Sequence, residues 1–150
     1  MIKFSLIRDK VLPHQPKRDM LAKWIRACIL EKFNTVILSV SIVDKKTSQK
    51  LNKEYRAKDS PTNVISLEYS ENREIFNMLN GELILCDEVI VAEATDQNKP
   101  VLAHYAHMIV HGMLHLQGYD HIVDKEAEEM EQLEVDILAK FGFANPYMDR

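Results

Sequence analysis

A chain of 150 residues, 46% hydrophobic and 28% charged, suits one folded domain built on one core. Its apolar runs stop well short of the roughly 18 residues a membrane span needs, and the opening Met1–Lys10 meets charge too early for a secretory leader. A cytoplasmic protein without membrane attachment is therefore expected. The net charge of −4 hides an asymmetry, because residues 1–60 carry 14 Lys+Arg against 6 Asp+Glu and residues 61–150 carry 5 against 17. A basic half can face an anionic partner such as nucleic acid, although two solvated sides of one domain would give the same count.

Residues 2–8 alternate Ile2, Phe4 and Leu6 with Lys3 and Ser5, the pattern of a strand. Pro13 and Pro16 break the chain. From Lys17 to Phe33 the residues Met20, Leu21, Trp24, Ile25, Cys28 and Ile29 recur at helical spacing. Val36–Val43 is β-branched and alternating, which predicts a second strand, parallel to the first across a βαβ unit. Asp44 can cap a helix reaching about Tyr55 and exposing Lys45, Lys46, Lys50 and Lys53. Arg56–Asn63 is a polar loop, and Val64–Tyr69 a third strand. A fourth, Glu82–Cys86, is opened by Asn80–Gly81, and residues 70–80 hold a short helix or a wide hairpin loop. Asp87 can cap a short helix to Thr95. Pro100 starts the most apolar helix, which runs to Leu116 and is stopped by Gly118. Asp124 caps a final acidic helix to Phe141, with Gly142 just beyond. Cys28 and Cys86 form no CxxC unit and read as reduced, packed thiols. The sum is a single α+β domain over residues 1–150, with a small mixed four-stranded sheet and about five helices.

The segment His111-Gly-Met-Leu-His115-Leu-Gln-Gly118-Tyr-Asp-His121 has the pattern HxxxHxxGxxH. His111 and His115 are four apart and share one helical face. Gly118 permits a sharp turn at positive φ that can bring His121 back. Three imidazoles with a fourth position left for water are the arrangement of catalytic zinc, which lowers the pKa of bound water to about 7. One zinc ion per chain on His111, His115 and His121, and no organic cofactor, is the expectation. His104 and His107 fall on the same face. His107 stands about 12 Å from His115 along the axis, too far to share an ion. It could orient a ligand, touch substrate or be an ordinary core or surface residue, and His104 reads as an ordinary core or surface residue. Asp120 and Asp124 could add a fourth ligand or an outer hydrogen bond, so a structural zinc stays open. The metzincin proteases carry Glu directly after the first His as general base. Here that residue is Gly112, which argues against a peptidase because general-base help is typically worth about 10²–10⁴-fold.

The run Val110–His121 resembles the YbeY family of bacterial endoribonucleases. So do Asn52-Lys-Glu-Tyr-Arg56 with Lys58, Pro61-Thr-Asn-Val-Ile-Ser66, and the acidic run Glu126–Met130. The resemblance covers roughly residues 40–145. It implies a single-strand-specific, metal-dependent endoribonuclease that matures the 3′ end of small-subunit ribosomal RNA and takes part in ribosome quality control. It also implies zinc on His111, His115 and His121, with His111 and Arg56 as catalytic residues, and the small ribosomal subunit and its proteins as partners. The family's PTDV reads Pro61-Thr-Asn63-Val here, its Ser-Phe-Pro reads Ser66-Leu67-Glu68, and its Gly-Asp reads Gly81-Glu82. No catalytic role is expected for Asn63. Arg56 can grip a phosphate bidentately, or else form a surface ion pair. The final helix, Glu126–Asp136, can dock a basic ribosomal protein or simply be a solvated face. Two rivals remain: another zinc hydrolase of peptidase type, and a non-catalytic ribosome-binding factor held together by zinc.

Overall fold

In the computed structural model, residues 2–30, 33–69, 77–119 and 124–148 are described. The elements are β1 (Ile2–Arg8), α1 (Arg18–Cys28), β2 (Thr35–Val43), α2 (Lys45–Arg56), β3 (Val64–Glu68), β4 (Met78–Cys86), α3 (Asp87–Asp96), α4 (Val101–Leu116) and α5 (Asp124–Ala139). The sheet order is β1-β2-β4-β3. The first three run parallel, and β3 pairs antiparallel with β4 at the edge. This is the expected α+β arrangement with a mixed four-stranded sheet. Among the described residues no helix is long and apolar enough to cross a membrane.

Alternation places Leu6, Val40, Leu83 and Ser66 in one row across the sheet, and Phe4, Leu38 and Gly81 in the next. Helices α1 and α4 cover this face, and α4 also touches α3 and α5. Burial all round explains why α4 is apolar all round rather than striped. On the opposite face α2 buries Ser48 and Asn52. Asp44 caps α2 as expected, accepting from the Thr47 N–H at 2.8 Å.

Four boundaries differ from expectation. Helix α1 stops at Cys28, well before Phe33, and Ile29 is extended. The buried Gln117 side chain holds that exit: its amide donates to the Cys28 carbonyl at 2.8 Å, and its oxygen accepts from the Leu30 N–H at 3.1 Å. Strand β4 begins at Met78, four residues early, because Asn80–Gly81 belong to the strand and Asn77 (φ 50°) makes the turn. A Cβ on Gly81 would lie 3.0 Å from Leu116 and 3.1 Å from the Leu67 carbonyl, so this glycine serves close approach, not a turn. Asp87 is the first residue of α3 and caps nothing; it accepts from His14, Gln15 and Tyr105 instead. Helix α5 includes Asp124 and ends at Ala139, before Gly142 (φ 81°). The short helix or loop expected within residues 70–80 lies mostly outside the described residues.

Replacing Gln117 with Ala orphans the buried Cys28 carbonyl and the half-buried Leu30 N–H. The expected loss is about 2–3 kcal/mol in urea denaturation, the usual magnitude for buried groups left unpaired. A loss below about 0.5 kcal/mol would mean that another group satisfies the exit of α1.

Candidate metal centre

Spacings of three and four residues put His104, His107, His111 and His115 on one face of α4. The rings meet edge to face, with centroids 6.1, 6.3 and 4.6 Å apart in succession. The two Nε2 atoms of His111 and His115 converge to 3.1 Å. Two nitrogens at about 2.0–2.1 Å from one tetrahedral zinc are about 3.3 Å apart, so this pair fits a shared ion. Gly118 has φ 101° and turns the chain beyond α4, closing the helix with its N–H on the His115 carbonyl. His121 and Asp120, beyond that turn, lie outside the described residues. Asp124 opens α5 and is exposed.

His107 and His104 are buried rather than surface residues, and each has a carboxylate partner. His107 Nε2 lies 2.6 Å from Glu134, and His104 Nε2 lies 2.9 Å from Glu93. Burial pushes the His107 imidazole pKa down, against the opposing pull of Glu134. Burial also acts on Glu134, in the upward direction, but the hydrogen bonds from His107 and Tyr147 and the nearby His111 ring prevail and hold its carboxyl at about 2. A neutral His107 therefore donates Nε2–H to an ionised Glu134, leaving Nδ1 buried and unpartnered among the described residues. The second oxygen of Glu134 accepts from the Tyr147 hydroxyl at 2.7 Å. His111 Nδ1 faces the same carboxylate at 3.4 Å.

Gly112 points the other way. A Cβ there would lie 2.8 Å from Leu83, 3.2 Å from the Ser66 hydroxyl oxygen and 3.3 Å from Val64. The position that carries the base in metzincins is pressed into the sheet here, so a carboxylate at 112 would enter the core instead of the site. Arg56 ends α2, is exposed, and reaches the Val64 carbonyl at 3.5 Å. Val64 is also one of the side chains against Gly112, so Arg56 is tied to the strand on which the histidine helix rests. The Asn63 amide donates to Glu93 at 3.1 Å and its oxygen accepts from the Val64 N–H at 2.7 Å.

Glu134 is the residue that sequence spacing does not point to. Its one signal is a carboxylate standing in the apolar stripe of α5, among the buried Met130, Ile137 and Leu138. Tyr147 carries no sequence signal, because its contact spans 13 positions across the end of α5.

A family model described as Endoribonuclease YbeY matches residues 7–142. The solution structure of TM1509 from Thermotoga maritima aligns with a TM-score of 0.56 at 22% identity, covering 95% of this chain and 92% of that one. At that identity the likeness shows a shared fold.

Two outcomes follow from this geometry. Gly112→Glu should create no hydrolase base and should cost at least about 3 kcal/mol, since overpacking and a buried charge add; a urea midpoint equal to wild type would place position 112 outside the core. The second concerns pH in the metal-free protein. Folded-state pKa values below the ordinary 6.5 of His107 and 4.5 of Glu134 mean stability that is present above those values and lost as pH falls. Melting temperature should therefore fall below pH 6.5, with the Glu134 contribution lost between 4.5 and about 2. Glu134→Gln should remove that last part, and a constant gap between the two proteins from pH 6 to pH 3 would assign the acid sensitivity elsewhere.

Proposed function

Because the chain belongs to the endoribonuclease YbeY family, we propose that it cuts single-stranded RNA in a metal-dependent reaction, with the 3′ region of small-subunit ribosomal RNA as substrate and a further part in ribosome quality control. The observation that carries the metal dependence is the convergence of the His111 and His115 Nε2 atoms at 3.1 Å on a buried, rigid helix. His121, just past the Gly118 turn, is the third ligand in this reading.

A bound zinc ion supplies Lewis-acid polarisation of a phosphoryl oxygen and a lowered pKa for water. The chain's own groups do the rest. His111 and His115 present neutral Nε2 lone pairs. Arg56, fixed at the end of α2, donates its planar fork to a non-bridging phosphate oxygen and stabilises the charge that grows there during cleavage. The exposed Lys45, Lys46, Lys50, Lys53 and Lys58 track the backbone on either side, which makes binding fall with salt. No side chain at position 112 takes a proton, since Gly112 faces the sheet. The attacking group is water or the ribose 2′-hydroxyl, and 2′,3′-cyclic phosphate ends would identify the second.

Cleavage of a structured RNA with single-stranded ends tests the reading. Arg56→Ala should lower kcat by about 10²–10³-fold, the usual effect of removing a donor to transition-state charge. His115→Ala and a chelator should each abolish cutting while the fold persists. Equal cutting by all three proteins would trace the activity to a contaminant and overturn the proposal.

A further inference from the structure

Glu134 is 1% exposed, on a helix face otherwise made of Met130, Ile137 and Leu138. A lone carboxylate in such a place is costly unless several donors compensate it. Two donors fix its position: the Tyr147 hydroxyl at 2.7 Å on Oε1 and His107 Nε2 at 2.6 Å on Oε2. The same Oε2 faces Nδ1 of His111 at 3.4 Å, while Nε2 of that ring points to His115.

We propose that Glu134 is the positioning residue of the metal centre, holding His111 as the Nδ1–H tautomer so that its Nε2 lone pair faces the ion. The inference rests on the metal-dependent reading above and adds to it a residue from a different helix.

A neutral imidazole carries one proton, and the hydrogen bond made at one nitrogen decides whether the other is a lone pair. Two Nε2 atoms 3.1 Å apart can share a proton or share a cation. A carboxylate accepting at Nδ1 of His111 removes the Nε2 proton from that ring. The anchored position of Glu134 matters as much as its charge, because an acceptor held from two sides also fixes the plane of the ring. Outer carboxylates of this kind are typically worth about 10–100-fold in metal affinity. His107 acts on the far side: it holds the carboxylate in place and is not itself a ligand.

The test measures zinc affinity of the full chain by competition with a chromophoric chelator, together with the protonated nitrogen of His111 by long-range proton–nitrogen NMR. Wild type should bind zinc with His111 protonated at Nδ1. Glu134→Gln should weaken zinc binding by about 10–100-fold and let His111 populate the Nε2–H tautomer in the metal-free protein, which a purely structural role would not do. Tyr147→Phe should weaken binding by a smaller factor in the same direction, and it carries the test if Glu134→Gln does not fold. Wild-type affinity in both variants, or His111 protonated at Nε2 in the zinc-loaded protein, would overturn the role of Glu134 while leaving the metal site intact. A wild-type chain that binds no zinc would overturn the metal-dependent reading and this inference with it.

Discussion

The close seating of α4 on the sheet is the constraint from which the centre takes its geometry. A Cβ on Gly112 would fall 2.8 Å from Leu83 and force a shift, and one on Gly81 would fit only tightly against Leu116. A helix pressed this tightly cannot roll. Whatever faces away from the sheet keeps a fixed direction, and here that is the histidine row. The Ser66 hydroxyl donates to the Gly112 carbonyl at 3.2 Å and adds a directional tie to the steric one. Gln117, one residue past α4, anchors the start of the following turn to the end of α1. The chain therefore leaves α4 from an anchored end.

Among the described residues, three carboxylates have a histidine against them: Asp87 and Glu93, both partly buried, and the fully buried Glu134. Asp87 accepts from His14, Gln15 and Tyr105; Glu93 from His104 and Asn63; Glu134 from His107 and Tyr147. Several donors per carboxylate is what burial demands. It also accounts for the amide of Asn63. An amide can accept from the Val64 N–H and donate to Glu93 at once, whereas an ionised aspartate could only accept and would repel its neighbour. The amide of Asn63 thus closes the local network.

Much of this was legible from the residues, and the gaps have physical reasons. The pairing of His111 with His115 was legible because helical spacing is local, and Gly118 because only a positive φ makes that turn cheap. The parallel pairing of β1 with β2 was legible because a strand, a helix and a strand in succession make a βαβ unit, whereas the order of the strands was not. Glu134 was not legible as a partner of His111, because a contact between two helices leaves no spacing rule in one chain. Gly81 misled because glycine serves turns and close approaches alike, and only the packed Leu116 distinguishes them. Asp87 likewise stood where a cap belongs but was claimed by partners far away in the chain. The end of α1 was misplaced because a side chain from position 117 decides it.

The edge of the sheet at β3 has one more consequence. An open edge strand invites another chain to pair with it. At Val64 that invitation is withdrawn: its N–H is taken by the Asn63 side chain at 2.7 Å and its carbonyl by Arg56 at 3.5 Å. The arginine proposed to hold phosphate thus also occupies a strand-pairing acceptor at that end of β3. Selection on solubility and selection on chemistry would then converge on one side chain, and a variant at position 56 would carry both burdens.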